Sequence, residues 1–481
     1  MIAPIFKQLI NGEWVDALNA RSWEVINPAT EEVVISVPFG DARDCAAAID
    51  AAHAAFPAWS QTTPYVRAEI LMKTANLIKE RIDSLFPYNT AESGKTMADA
   101  KGDLIAAALL FEWYAEEGKR AYGRTIPCRR PNKRLMVLKQ PIGVVGTITA
   151  WNFPAYNPAR CWAAALAAGC TIVARPSEYT PLTAMAMANL LVEAGLPKGV
   201  LNLINGDPAS MGQEMLNNPK VAKISFTGST RVGRLLMDGA SKTMKRLSLE
   251  CGGNAPVIIF PDADMKLVME NAAMAKVRNV GQVCIAPQRF LVHEKCSAQF
   301  VDHLAKELPK LKVGNGVDPT VQVGPLINST QRDRVEQLVR DSATQGAQIV
   351  TGGKRPESLS KGYFYEPTVV ANVSSDNTLF RNEIFGPVLP VTSFSDVDEV
   401  IQQANQTEYG LAAYVFTENM KTAIRCYERL EFGMIAVNDW SVSTIEGPFP
   451  GWKQSGLGAE CGSEGLEEYL ETKLVGIGNL S

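Results

Sequence analysis

Apolar positions along the chain change spacing repeatedly. Short unbroken apolar runs give way to apolar residues three and four apart, then return. That predicts buried strands alternating with amphipathic helices, which is α/β architecture with largely parallel sheets. Residues 144–149 form a β-branched strand closed by Trp151-Asn152-Phe153-Pro154. A helix over 158–168 ends at Gly169, and a strand over 171–174 leads into Arg175-Pro176-Ser177-Glu178. A helix over 181–193 is stopped by Gly195-Leu196-Pro197, and 200–204 is the third strand. Such a β-α-β-α-β run is a nucleotide-binding half, whose ligand sits beyond the strand C-termini.

Next, Ile224-Ser225-Phe226-Thr227-Gly228-Ser229-Thr230-Arg231-Val232-Gly233 reads as a strand passing through a glycine into a helix. Free N–H groups at such a helix start favour a phosphate, with Gly228 allowing close approach and Ser229 adding a donor. An ordinary βα turn with a Ser/Thr cap reads equally well. No GxGxxG stands at a strand–helix junction, so a dinucleotide site here is not of the ordinary Rossmann type. A second α/β unit follows, in which Asp262 or Asp264 caps a helix with Met265, Val268, Met269, Ala272 and Ala273 on one face. That helix ends near Gly281 and delivers Cys284 in a loop. Further helices fall around 297–309 and 330–345, and Glu383-Ile384-Phe385-Gly386-Pro387 reads as a loop with an exposed acid and aromatic. The glycine-rich stretch 447–462 reads as irregular and functional, and 469–477 as an edge strand able to pair with another subunit.

At 481 residues the chain has length for roughly three domains. Its 46% hydrophobic and 20% charged residues belong to a soluble globular protein with a sizeable core. A net charge of −4 gives no general attraction to nucleic acid or an anionic membrane surface. No apolar run approaches the roughly 20 residues of a membrane helix, and residues 1–7 lack a signal-peptide core, so the expected location is cytoplasmic. Nine scattered cysteines without a CxxC pair argue against a disulfide framework. The three histidines, His53, His293 and His303, show no ligand spacing, so no metal site is expected.

The chemistry centres on Cys284, among small residues in Gly281-Gln282-Val283-Cys284-Ile285-Ala286-Pro287, and on Glu250 in Leu249-Glu250-Cys251-Gly252-Gly253. A thiol nucleophile and a carboxylate that activates water are the natural reading. A Cys-His hydrolase is the rival, but His293, the histidine nearest in sequence, reads as a partly exposed strand-end residue. That leaves Glu250 as the base.

Together these motifs resemble the NAD(P)-dependent aldehyde dehydrogenase superfamily over nearly the whole chain. The resemblance is closest in motif to its succinate semialdehyde and α-ketoglutarate semialdehyde dehydrogenases. It implies a Rossmann-like cofactor domain (1–122 and 141–252), an α/β catalytic domain (253–452) and a small β oligomerisation segment (123–140 and 453–481), in a homodimer or homotetramer. It implies Cys284 as nucleophile, Glu250 as general base and Asn152 as donor to the oxyanion. Thr149, Ala150, Trp151, Arg175, Ser177, Glu178, Gly228, Ser229, Gly233, Gly252, Glu383 and Phe385 fall on its cofactor contacts. The family members that pass the acyl group to coenzyme A generally lack the acid at Glu250, so water is the expected acceptor. Pro448-Phe449-Pro450-Gly451 through Ser455-Gly456-Leu457-Gly458 falls on its C-terminal signature.

NAD is the expected cofactor, because Glu178 can accept from a ribose 2′-OH and would repel a 2′-phosphate. Arg175, where the family usually has lysine, leaves NADP possible. Arg160 and Arg278 suggest a carboxylate at the far end of the aldehyde, with Ser443 as a third contact, since guanidinium forks bind carboxylates bidentately. The bland alternative has one or both arginines covering helix surface or pairing with an acid. Trp440 and Tyr156 could instead line a pocket for an aromatic aldehyde. Ala286 stands where some succinate semialdehyde relatives have a switch cysteine, so no redox switch is expected. Pro450, Ala459 and Cys461 replace a usual glycine, arginine and glycine, and the sequence offers no reason for them.

Overall fold

The computed structural model describes residues 4–479. Two large sheets organise it. The first has eight strands in the order Glu13–Val15, Gln8–Ile10, Leu201–Leu203, Thr171–Arg175, Val144–Ile148, Val221–Thr227, Arg246–Glu250 and Gly456–Leu457. Its five central strands are parallel. From Val144–Ile148 the chain builds outward to one side through two strands, then crosses back to build the other side. The loops after Val144–Ile148 and Val221–Thr227 therefore diverge and leave a crevice at the strand C-termini. These are buried, Val- and Ile-rich strands, as expected where helices cover both faces.

The second sheet has seven strands, ordered Gln348–Thr351, Thr368–Ala371, Val388–Phe394, Pro287–His293, Ala255–Ile259, Ala412–Phe416 and Met434–Val437. Only residues 251–254 separate Glu250, at the C-terminal end of the first sheet, from Ala255, which begins the second. The C-terminal edge of one sheet thus faces the entry of the other. A third sheet pairs Leu470–Ile477 along its full length with Arg134–Pro141, which also pairs with Arg124–Ile126. Leu470–Ile477 is an edge strand with Leu474 exposed, in keeping with the sequence reading.

Three sequence expectations need correction. Helices and strands do not alternate over 42–117, where Ala42–Ser60, Pro64–Glu80, Ile82–Ser93 and Met97–Glu117 follow one another. The last three pack on each other and on helices Tyr156–Ala168 and Pro181–Ala194, so they form a helical layer over the sheet. His293 is buried rather than partly exposed; its Nδ1 accepts from Lys295 N and caps helix Glu294–Glu307. Residues 447–462 are not irregular. Phe449–Pro450 pairs with Ala459–Glu460, Trp452–Lys453 with Tyr409–Gly410, and Gly456–Leu457 closes the first sheet. The glycines there permit backbone contact: a Cβ on Gly456 would lie 2.3 Å from Leu249 O.

Arg289, in strand Pro287–His293, is the cation on which the second sheet is sewn. It is 1% exposed and has no acid partner among the described residues. Its guanidinium donates to Asn254 O at 2.9 and 3.1 Å, to Gln403 O at 3.2 Å and to Ala404 O at 2.8 Å. The last two are carbonyls in the final turn of helix Val397–Asn405, where the helix dipole favours a positive charge. Burial lowers its pKa to about 9, yet the cation persists at neutral pH. Arg289→Met should destabilise the fold by about 3 kcal/mol or more, because three carbonyls lose a charged donor together. Urea unfolding of the two proteins measures it, and a loss under about 1 kcal/mol would contradict this role.

Candidate active site

Glu250 ends its strand, and Cys284 stands just before strand Pro287–His293. Gly253 brings them together: a Cβ there would lie 2.3 Å from Cys284 O, so only glycine lets the cysteine loop seat on the junction. The approach to Cys284 is strained. Asn279 and Val280 have φ of 46° and 59°, and Gly281 follows at 74° with Gly386 O against the place of its missing side chain. A left-handed valine costs on the order of 1–3 kcal/mol and persists only where neighbours fix it. Here they do. Asn279 Nδ2 donates to Asn152 O at 2.9 Å and to Gln282 O at 3.2 Å, and Gln282 Oε1 accepts from Ile327 N at 3.0 Å.

Asn152 lies across from this loop. Its Nδ2 donates to Gln282 O at 3.1 Å, and its Oδ1 accepts from Asn157 Nδ2 at 3.1 Å, which fixes the amide's orientation. One amide hydrogen is committed to Gln282; the second remains for a substrate oxygen.

Burial governs the charges. It pushes the Cys284 thiol up to about 12, with Arg160 pulling down and Glu250 and Glu383 pushing further up. Burial also raises Glu250 well above the ordinary carboxylate range, aided by Glu460 and opposed by Arg160. Glu250 Oε2 is buried and has no hydrogen-bond partner among the described residues. Glu460 escaped the sequence reading. It is 2% exposed, and its Oε2 lies 2.8 Å from Arg160 Nε in an ionic contact too oblique for a good hydrogen bond. Burial raises its pKa too, against Arg160. The signal was its place just after the C-terminal signature, between Ala459 and Cys461; those unusual neighbours drew attention instead.

A cavity of about 310 Å³ opens at the crevice between the diverging strands. Ala150, Trp151, Asn152, Gly228, Ser229, Gly252, Glu383 and Phe385 line it, with Glu250 and Cys284 at its floor. Gly228 N donates to Glu250 O at 2.9 Å, tying the glycine loop to the base. Ser229 caps helix Thr230–Ser241 by accepting from Val232 N, which leaves its hydroxyl hydrogen to give. Gly233 lets that helix settle on Cys251, whose Sγ would be 2.8 Å from a Cβ. Glu383 is half-buried; its Oε1 accepts from Gly253 N at 2.9 Å, and its Oε2 sits where a side chain on Gly252 would be. Burial raises Glu383 to about 7. Phe385, with φ of 53°, sets its ring edge-on to Trp151 at 5.5 Å. An acid for ribose hydroxyls, aromatic walls and a glycine-lined helix start fit a nicotinamide nucleotide.

Thr149, Arg175, Ser177 and Glu178 stand at the neighbouring strand ends, outside that cavity's lining. Thr149 N donates to Arg175 O, and Thr180 Oγ1 to Trp151 O. Arg175 is buried; its Nη2 donates to Glu178 Oε2 at 2.6 Å and to Gly206 O at 2.9 Å, so the acid meets a cofactor already paired.

On the other side of Cys284 lies a cavity of about 380 Å³, lined by Phe153, Tyr156, Arg160, Arg278, Ser443 and Phe449 among others. The two arginines differ. Arg160 is 2% exposed, held by Glu460, by Asn157 Oδ1 at 3.2 Å and between the Tyr156 and Phe449 rings. Burial opposes its charge, but Glu460, Tyr156 and Glu250 hold its pKa above the ordinary guanidinium value. Arg278 is exposed, and among the described residues it has no acid partner; its guanidinium lies over Phe153, 5.5 Å from the centroid. Trp440 packs on Phe416 and Tyr414 away from this lining, whereas Tyr156 is part of it. Cys461 also gains an account. Its φ is 60°, where glycine is favoured, and its thiol fills the space beside Tyr156 OH at 3.7 Å. Nothing in the structure explains Ala459.

With its pKa near 12, the resting thiol is protonated at neutral pH. In cofactor-free protein, alkylation of Cys284 by iodoacetamide should therefore be slow at pH 7 and rise about tenfold per pH unit up to pH 10. Trapped peptide measured by mass spectrometry follows it; a rate flat across that range would show a thiolate already formed.

The comparisons with known proteins agree on the family. The aldehyde dehydrogenase family model matches residues 14–475. Escherichia coli succinate-semialdehyde dehydrogenase [NADP(+)] is 45% identical over 476 residues, 98% of each chain. Pseudomonas aeruginosa glutarate-semialdehyde dehydrogenase is 43% identical over 480 residues, 99% of each chain. The crystal structure of succinate-semialdehyde dehydrogenase from Burkholderia pseudomallei superposes with a TM-score of 0.97 at 45% identity, covering 99% of this chain and 98% of that one. With sheets, crevice and thiol arranged as described, this chain belongs to the aldehyde dehydrogenase family.

Proposed function

We propose that the protein oxidises a carboxylate-bearing semialdehyde to the dicarboxylic acid with NAD(P)+, using water as acyl acceptor. The observation that carries this reading is a pair of cavities sharing Cys284, one of them holding an arginine, Arg278, with no acid partner among the described residues. Relatives acting on succinate and glutarate semialdehydes support the class.

In this reading the Cys284 thiol gives its proton to water and adds as thiolate to the aldehyde carbon, forming a C–S bond and an alkoxide. The free Asn152 amide hydrogen and the Cys284 N–H donate to that oxygen, one such donor being worth about 3–4 kcal/mol. Bound in the neighbouring cavity, the oxidised nicotinamide supplies the hydride acceptor. With hydride lost, the carbonyl reforms as a thioester on Cys284. Glu250 draws a proton from water, hydroxide attacks, the C–S bond breaks and the acid leaves. Arg278 and Ser443 orient the substrate carboxylate, while Arg160, committed to Glu460, supplies field more than contact. NAD is the preferred cofactor and NADP a poorer one, because Glu178 offers an acceptor while Arg175 neutralises part of its charge. A cytoplasmic homodimer or homotetramer completes the proposal, supported by the exposed edge strand Leu470–Ile477.

Arg278→Leu should raise KM for a semialdehyde acid about 30- to 100-fold, the loss of a bidentate charged contact, and leave a neutral aldehyde of equal length within about threefold. Steady-state kinetics with both aldehydes decide it, and equal losses would remove the carboxylate reading. In the same assays Cys284→Ala should show no oxidation and no acyl adduct by mass spectrometry.

A further inference from the structure

We infer that Asp99 and Asp103, one turn apart on helix Met97–Glu117, are positioning residues that set the separation between the Asn152 amide and the Cys284 thiol. The inference rests on the roles proposed above for those two groups. Asn152 and Cys284 sit on loops that otherwise hold chiefly each other, through Asn279 to Asn152 O and Asn152 to Gln282 O. The Cys284 loop is also held through Ile327 N and the Asn152 loop through Thr180 Oγ1, but these anchors lie in different parts of the chain and leave the two loops free to shear. The helix supplies an outside reference for both.

Asp99 Oδ2 accepts from Asn279 N at 3.1 Å and from Thr96 Oγ1 at 3.2 Å, the residue that caps the same helix. Asn279 is the first of the left-handed residues, whose conformation needs an external restraint. Asp103 holds the other loop. Its Oδ1 accepts from Tyr156 N at 2.9 Å, and its Oδ2 from Ala155 N at 3.3 Å, Asn89 Nδ2 at 2.8 Å and Lys95 Nζ at 3.0 Å. Four donors leave that carboxylate no freedom to turn. It also caps the start of helix Tyr156–Ala168, which has no side-chain cap of its own. Lys95 is fully buried and closes the brace, its ammonium 4.1 Å from the centroid of the Phe153 ring, next in sequence to Asn152.

Neither aspartate takes part in bond making, so the readout must separate position from reactivity. Aldehyde oxidation and hydrolysis of an aryl acetate ester both pass through an oxyanion on the Cys284 adduct; alkylation by iodoacetamide does not. In Asp103→Asn, kcat for oxidation and for ester hydrolysis should fall together by about 100-fold, and in Asp99→Asn by about tenfold, since small misplacements of a donor cost that much. Alkylation rate and NAD affinity should stay within about twofold in both. Unchanged kcat, or alkylation falling in the same proportion as oxidation, overturns the inference. Should Asp103→Asn not fold, Asp99→Asn, whose site is half-exposed, decides alone. Cys284→Ala distinguishes the two levels. Activity surviving that change defeats the site reading itself; its loss beside fully active aspartate variants defeats only the brace.

Discussion

The contact of the Cys284 carbonyl with Gly253 is the constraint from which the active centre follows. Residues 251–254 are all that lies between the last residue of one sheet and the first of the next. Such a short crossing forces the C-terminal edge of the nucleotide-type sheet against the entry of the second. Glu250 arrives at the end of a strand and Cys284 just before the start of another, so neither depends on a long loop. Any side chain at position 253 would push the cysteine loop outward and separate the two.

Electrostatics then follow from burial. Three acids, Glu250, Glu383 and Glu460, and the thiol crowd one region with Arg160 as the cation that serves most of them. Each is shifted toward its neutral form by desolvation, and Arg160 limits the shift of Cys284, Glu250 and Glu460. Such perturbed groups are the usual mark of acid–base chemistry. Arg160 is committed to Glu460, whereas Arg278 at the same cavity has no acid partner among the described residues.

Much of this was legible in the chain. The β-branched runs, the glycines ending helices at 169 and 195, and the cap at Asp264 are local signals, and the elements formed where they pointed. Motifs around Cys284, Glu250 and Asn152 fell on loops that the sheets bring together. What failed was non-local. The four consecutive helices of 42–117 cover one another and a sheet built from later sequence, which no periodicity within them reveals. Residues 447–462 looked irregular because their strands are two residues long and two of them find partners outside the segment, at Tyr409–Gly410 and at Leu249 and Glu250. The acid that pairs with Arg160, Glu460, is distant in sequence and could not be named from it, and His293 looked exposed because its role as a cap depends on the turn after it.

The sharing of one sulfur by two cavities with separate walls has a further consequence. On the proposed assignment, aldehyde and dinucleotide would occupy linings whose one common residue is Cys284. Under that proposal neither lining obstructs the other, so a spent dinucleotide would have a way out while an acyl group on Cys284 awaits water. The traffic rules of this catalyst are written in its architecture before any rate constant is considered.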